Sequence, residues 1–277
     1  MKIGIFGGDK RMLFAARAFA EDGHEVYVAG FDDLKSLCEI RVCDFEEAAA
    51  DCDVAVLPVR PVIGNELNAP FAKQKPGITE LMEKIGTKPV FTGDKRSILP
   101  DALGEVYDYA AQEDFLLKNA ELTAEGAVGL LISDYEGAIR DTEILVTGYG
   151  RIGKALCAYL GAMGAKVTAA VRKQSDRMSA MEHGYPAVDY PEIDFGRFRV
   201  ICNTVPAPVL GVDAVDLMRE DVFIVDLASA PGGVDRARAE ERGLTCVHAL
   251  SLPGKTAPLT AGMIIKDTII NILSRNN

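Results

Sequence analysis

The 277 residues are 48% apolar and 26% charged, a composition that folds without disulfide or metal staples and suffices for two domains of ordinary size. A formal net charge of −11 excludes general attraction to nucleic acid or to an anionic membrane, so an anionic ligand must be held by a local cluster of donors. Cys38, Cys43, Cys52, Cys157, Cys202 and Cys246 are scattered through apolar segments without CxxC spacing and read as reduced core residues of a cytoplasmic protein.

Along the chain, short apolar runs rich in β-branched residues alternate with segments of helical period, the pattern of parallel sheets covered by helices. The opening segment reads as a strand, Lys2 to Phe6, rather than a signal peptide, and no later stretch reaches the length of a membrane span. A helix over Arg11 to Glu21, strands over Glu25 to Ala29 and Asp53 to Val59, a helix over Ile78 to Ile85 and a strand over Pro89 to Thr92 complete a first doubly wound unit. Tyr109 to Ser133 is mostly helical, with a break predicted near Leu122 and Thr123, where a hydroxyl residue precedes a fresh acidic turn. The rhythm restarts with a strand at Ile144 to Thr147, a helix at Ile152 to Met163, a strand at Lys166 to Val171 and a helix at Asp176 to His183. Strands at Val200 to Thr204, Val222 to Asp226 and Thr245 to Ala249 follow, with helical segments at Asp213 to Met218 and Val234 to Arg242 between them. The expected fold is α/β: two Rossmann-like doubly wound parallel-sheet domains, residues 1–108 for substrate and 139–252 for nucleotide, joined by a helical linker over 109–138. Residues 253–277 form a crossover and a last helix, apolar at Met263, Ile264, Ile269, Ile270 and Leu273, that packs back on the first domain.

The segment ILVTGYGRIGKAL sets Gly148, Gly150 and Gly153 between a strand and an amphipathic helix, the context a GxGxxG nucleotide turn requires. The first glycine permits the turn, the second lets backbone approach a pyrophosphate, and the third packs helix against strand. Arg151 and Ile152 open the helix, whose free amides suit an anion. An NAD site ordinarily carries Asp or Glu at the end of the following strand, whereas this chain carries Arg172, with Lys173, Ser175 and Arg177 behind it. That patch suits the 2′-phosphate of NADP, with NAD and a merely solvated loop as the alternatives. Asn203, Thr204, Val205 and Pro206 after one strand, and Asp226, Ala228 and Ser229 after the next, are expected to edge the nicotinamide; the other reading of Asn203 and Asp226 is that they satisfy turn backbones.

In the first half, Gly7, Gly8, Asp9 and Arg11 occupy the end of the first strand and are candidates for substrate contact, as are Arg60, Thr92 and Thr123; the glycines also fit an ordinary tight turn, and Arg60 a surface charge. Candidate catalytic groups are Lys255, in a PG turn where Thr260 is expected to cap the last helix, Asn203, and Glu125 as proton acceptor, although an acidic first turn explains Glu125 equally simply. The histidines His24, His183 and His248 all have structural explanations, and no metal-ligand cluster or Ser-His-Asp order is present in the sequence.

IFGGDKR, TAEGA at Thr123 to Ala127, GYGRIG, VRK, NTVPAPVL, DLASAPGGVD and LPGKTAPLTAG, in that order over essentially the whole chain, resemble the A subunit family of dipicolinate synthase. More distantly, the second half is similar to the nucleotide domain of alanine dehydrogenase and formate/glycerate dehydrogenase relatives. The resemblance implies NADP-dependent oxidation of dihydrodipicolinate to pyridine-2,6-dicarboxylate, in the mother-cell cytoplasm of a sporulating bacterium, with a smaller flavoprotein-like B subunit. It also implies a substrate that is a small dicarboxylate. The variable segment Pro58 to Glu66 leaves the substrate-facing wall open. Another dehydrogenase of similar architecture and a non-catalytic nucleotide-binding scaffold remain as alternatives, and association into a homo-oligomer through exposed helices is also open.

Overall fold

The computed structural model describes residues 1–37, 40–98 and 100–276, and Cys38 lies outside them. Two compact units divide the chain: Met1–Asn119 with Ala257–Asn277, and Ala120–Thr256.

The first unit opens with β1 (Lys2–Phe6), α1 (Lys10–Glu21) and β2 (Glu25–Ala29), followed by β3 (Val42–Cys43), α2 (Phe45–Asp51) and β4 (Val54–Val56). A small antiparallel hairpin, β5 (Val62–Ile63) and β6 (Glu66–Leu67), precedes α3 (Ile78–Ile85), β7 (Val90–Thr92) and β8 (Val106–Asp108). Six of these strands form a parallel sheet in the order β3-β2-β1-β4-β7-β8. Its central strands read as almost unbroken apolar runs because helices cover both faces. The predicted strand over Asp53 to Val59 is cut to β4, since Leu57 still bonds Phe91 but Pro58 has no N–H to continue the ladder. β3 and β8 escape prediction because two or three residues carry no readable period.

Next comes α4 (Glu113–Asp134), a single continuous helix. The break predicted at Leu122 and Thr123 does not occur: Ala120, Ala124, Ala127 and Leu131 make a buried stripe at helical spacing straight through it. Thr123 and Glu125 therefore sit in mid-helix rather than opening one.

The second unit continues with β9 (Glu143–Thr147), α5 (Arg151–Ala162), β10 (Lys166–Ala170), α6 (Gln174–Glu182) and β11 (Ala187–Val188). β12 (Val200–Asn203), α7 (Val212–Asp216), β13 (Phe223–Asp226), α8 (Arg236–Glu241), β14 (Thr245–His248) and α9 (Leu252–Thr256) complete it. Its six strands are again parallel, in the order β11-β10-β9-β12-β13-β14. This is the doubly wound order of dinucleotide-binding sheets, with the topological switch between β9 and β12. Val146, Leu156, Cys157, Leu160 and Cys202 pack in the core on one face of the sheet, and Leu145, Ile201, Ile224 and Leu210 in the core on the other.

Two local expectations are corrected at the end of the chain. Pro253 and Gly254 belong to the first turn of α9, where a proline's missing N–H costs nothing, and not to a PG turn. α10 (Pro258–Asn276) already begins before Thr260, so Thr260 does not cap it. Within the first unit α10 lies against α1, with Ile265 and Ile269 buried and Lys266 paired to Asp22 at 2.8 Å.

Gly262 is the closest point of that helix crossing. A methyl group there would lie 2.6 Å from the Arg11 carbonyl oxygen and 2.7 Å from the Ala15 nitrogen, both backbone atoms that no rotamer change can move. Gly262→Ala gains up to about 1 kcal/mol of helix propensity, but forced separation of the helices costs about 1–3 kcal/mol. Net destabilisation is the expected outcome of urea unfolding, and a stabilised variant contradicts the crossing.

Candidate functional site

The carboxyl ends of β9, β10, β12 and β13 gather the features that sequence singled out in the second unit. At the β9–α5 turn, Gly148 has φ +85° and donates its N–H to the Ala170 carbonyl at 2.8 Å, tying the turn to β10. Gly153 packs so closely on that turn that a methyl would lie 2.2 Å from the Gly148 carbonyl oxygen. Gly150 is different. It occupies the N-cap of α5, makes no side-chain cap, and has nothing within 4 Å of where a Cβ would stand. Between the glycines, Tyr149 turns inward, and burial pushes its phenol up to about 12. The turn thus combines a rigid base with an open face next to uncapped first-turn amides, which is the geometry that admits a phosphate.

Beyond β10, Arg172, Lys173 and Ser175 are exposed and Arg177 is half-buried at the start of α6, whose N-cap Lys173 makes no capping bond. Ala170 is in register with Thr147, so Arg172 lies on the same sheet edge as the glycine turn. The half-buried Tyr190 shares this edge: burial raises its pKa, while the nearby Arg172 charge acts in the opposite sense.

A buried polar ladder runs across the same edge. The Thr147 hydroxyl donates to Asn203 Oδ1 at 2.5 Å, and Asn203 Nδ2 donates to Asp226 Oδ1 at 2.7 Å and to the Val205 carbonyl at 3.1 Å. Asn203 Oδ1 also accepts from the Val205 N–H. Asp226 accepts in addition from Ala228 N–H at 3.1 Å and Gly233 N–H at 2.9 Å. Asn203 and Asp226 are both 0% exposed with their polar atoms committed within the chain, whereas sequence reading expects them to edge the nicotinamide and Asn203 to be catalytic. They hold the loops that follow β12 and β13. The Thr204 hydroxyl is likewise spent on the Thr147 carbonyl at 2.7 Å, and Ala228 is buried. Arg151, Pro206 and Ser229 are exposed, and Ile152, Thr204 and Val205 are half-buried.

The first unit presents a contrasting turn. Gly7 and Gly8 have φ +62° and +93°, but Gly8 donates to the Asn68 carbonyl at 2.7 Å, and added methyls would strike Ala69, Asn68, Met12 and Pro58. Chain segment 67–69 lies against Gly7 and Gly8. Asp9 caps α1 and holds Arg11 in a two-pronged ion pair, Nε to Oδ1 at 2.9 Å and Nη2 to Oδ2 at 2.7 Å. The Arg11 fork is therefore occupied from within. Thr92 is fully buried, and Arg60 is exposed. On α4, Thr123 is buried and Glu125 is exposed, close enough to Tyr159 that its charge helps raise that phenol, which burial raises most. Lys255 is exposed on α9. The structure thus brings together Gly7, Gly8, Asp9 and Arg11, but as a self-satisfied cluster.

Sequence reasoning passed over two groups on the second unit's edge. His248 stands in register with Asp226, one strand over, and its Nε2 lies 2.9 Å from the Ala228 carbonyl; counting strand ends would have found it. Tyr190 follows a strand of only two residues and carried no signal. Among the described residues no cluster of three or more His, Cys, Asp or Glu is arranged to hold a metal, and no helix is long and apolar enough to cross a membrane.

Residues 2–106 match the family model for the N-terminal domain of the dipicolinate synthase A subunit. The chain is 27% identical to the dipicolinate synthase A subunit of Bacillus subtilis (strain 168) over 291 aligned positions, covering 99% of this chain and 96% of that protein. The crystal structure of the dipicolinate synthase A subunit from Bacillus halodurans superposes with a TM-score of 0.89 at 26% identity, over 98% of this chain and 97% of that one. A transhydrogenase from Sinorhizobium meliloti shares the fold, with a TM-score of 0.72 at 16% identity over 98% of this chain and 93% of that one. The likeness to the A subunit of dipicolinate synthase therefore extends over the whole chain, in sequence and in architecture.

The two glycines of the turn separate fold from ligand. Gly153→Ala is expected to destabilise the chain by about 2 kcal/mol or more, because backbone must move to admit the methyl. Gly150→Ala is expected to stay within about 0.5–1 kcal/mol of the parent, because the methyl meets nothing. Urea unfolding of both variants checks this, and equal destabilisation contradicts the open face at Gly150.

Proposed function

We propose that this chain is an NADP-dependent oxidoreductase that converts dihydrodipicolinate to pyridine-2,6-dicarboxylate, acting with a flavoprotein-like B subunit in the cytoplasm of a sporulating mother cell. One observation carries the nucleotide part: an open glycine turn, with room where the Gly150 Cβ would be, on the same sheet edge as a cation, Arg172, at the position where NAD sites carry an acid. The end-to-end likeness to the A subunit of dipicolinate synthase supports the substrate and the partner protein.

In this reading the amides at the start of α5, from Arg151 and Ile152, take the pyrophosphate, and Gly150 keeps the approach clear. Arg172, Lys173, Ser175 and Arg177 take the 2′-phosphate, with guanidinium forks matched to phosphate oxygens. NADP supplies the hydride acceptor, and loss of one hydride and one proton makes the ring aromatic. The protein's task is then chiefly to hold the two rings in order, since aromatisation drives the step and asks little of a strong base. Exposed loop residues Pro206 and Ser229 border the nicotinamide. For the substrate, Arg60 is the exposed cation we assign on the first unit, and on the second we assign the exposed Lys255 as a catalytic cation and Glu125 as proton acceptor. Arg11 serves only where its pairing with Asp9 leaves a face free.

The deciding experiment mixes the purified chain, with and without a flavoprotein-like B subunit, with fresh dihydrodipicolinate and NADP, and follows NADPH and pyridine dicarboxylate. Product in either case is the expected result, and none in both rejects the substrate. For the nucleotide, Arg172→Asp is expected to weaken NADP about 10–100-fold, the worth of one or two charge-assisted bonds. NAD binding should change far less, and equal losses reject the preference for NADP. Gly150→Val, folded but with its side chain in the open space, should lose both nucleotides.

A further inference from the structure

The loop between β13 and α8 has a pinned base and a bare tip. Ala228, Gly232 and Gly233 are buried, whereas Ser229, Ala230 and Pro231 are exposed. The base is fixed at its far end by Asp226, which accepts from Gly233 N–H at 2.9 Å, and at its near end by the Ala228 N–H at 3.1 Å. Backbone lies directly on these side chains: a methyl at Gly232 would stand 2.3 Å from Asp226 Oδ2, and one at Gly233 2.5 Å from Asn203 Nδ2. The N–H donors of Ala228, Gly233 and Asn203 all converge on one carboxylate, an acceptor at both oxygens, and an amide in its place would turn a donor toward one of them. The remaining backbone acceptor at the near end, the Ala228 carbonyl, is met by His248 Nε2 at 2.9 Å from β14.

We propose that His248 is a positioning residue for the nicotinamide end of the nucleotide site, acting through the Ala228 carbonyl to hold the tip Ser229–Pro231 in place. The inference rests on the nucleotide reading above and assigns a role that the histidine's place in an apolar strand concealed. Two features set it apart from a merely structural histidine. His248 is in register with Asp226, and it adds a second hold at the near end of a loop whose two ends Asp226 already fixes. And its bond goes to the loop, not to the core: the ring nitrogen reaches a backbone oxygen beside the bare tip. Nε2 donates to this carbonyl in the tautomer that places the ring proton there.

The test compares His248→Leu with His248→Gln, whose amide is chosen to restore the donor. The probes are 2′,5′-ADP, which reports the Arg172 end alone, and NADPH, whose nicotinamide fluorescence reports how firmly that ring is held without any need for substrate or partner. In His248→Leu the dissociation constant for 2′,5′-ADP should stay within about twofold, while the fluorescence enhancement of bound NADPH falls and NADPH binds about 3–10-fold more weakly, the worth of one hydrogen bond. His248→Gln should recover most of the enhancement. Unchanged NADPH fluorescence in His248→Leu overturns the proposal, as does equal weakening of 2′,5′-ADP and NADPH, which marks a general structural role. If His248→Leu does not fold, loss of the enhancement in His248→Gln, with 2′,5′-ADP still bound, overturns it too. A parent protein that binds neither probe defeats the nucleotide reading itself, a result distinct from each of these.

Discussion

A single buried hydrogen bond, from Asn203 Nδ2 to Asp226 Oδ1 at 2.7 Å, ties together the features that make the second unit's sheet edge usable. It links the carboxyl ends of β12 and β13, and through Thr147 it reaches the strand that feeds the glycine turn. Burying a carboxyl group without partners costs several kcal/mol, and here the partners are supplied in full. The compensation has a geometric consequence: donors must arrive from fixed directions, so the loops after both strands have little freedom. Glycines at 232 and 233 follow directly from this, because the backbone has to lie against Asp226 and Asn203 to bond them. The residues that read most like ligand contacts in sequence thus also shape the loops that follow the two strands.

The two sheets show how one turn geometry serves two ends. Both sheets start with a strand, a glycine turn with positive φ, and a helix, and both have the same relative strand order. In the first unit the turn is closed: Asn68 accepts the Gly8 N–H, Asp9 caps α1, and Arg11 answers the Asp9 charge. In the second unit α5 has a glycine N-cap with no side chain to satisfy its amides. A helix start already capped by its own carboxylate offers little to an incoming phosphate, whereas an uncapped one beside open space offers both amides and room. By this criterion the second unit's turn is the better suited of the two to the dinucleotide proposed above. The distinction appears faintly in sequence as Asp9 against Gly150, since Asp is a strong N-cap and Gly a mute one.

Much of the architecture was readable because long parallel strands and amphipathic helices impose their periods strongly. β1, β2 and α3 fall where the apolar pattern places them, residue for residue. The pattern failed where length was too short for a period, as in β3 and β11, and where a polar residue sat within a helix. Thr123 was mistaken for a helix start because a hydroxyl before an acidic turn is a capping signal, yet burial of Ala120, Ala124 and Ala127 on one face overrode it. Glycine spacing and Arg172 were legible because their chemistry is local. The commitment of Asn203 and Asp226 to each other was not, because it depends on the register between two strands distant in sequence.

The motifs that carry the family likeness divide by physical role. TAEGA places Gly126 where a methyl would lie 2.8 Å from Thr256 Oγ1 and 2.9 Å from Leu252 Cβ, so it exists to let α4 touch α9. LPGKTAPLTAG supplies α9 and the Gly262 crossing on α1. NTVPAPVL and DLASAPGGVD supply the buried ladder and the loop lying on it. GYGRIG and VRK leave Gly150, Arg172 and Lys173 exposed beside the sheet edge. Close backbone approach tolerates no added atom, so motifs of the first kind have a packing role whatever the ligand. A chain-wide likeness of this sort therefore speaks most strongly about the scaffold and the nucleotide turn. The substrate has to be argued from exposed groups within each unit, Arg60 in the first and Lys255 with the loop tip at Ser229 to Pro231 in the second.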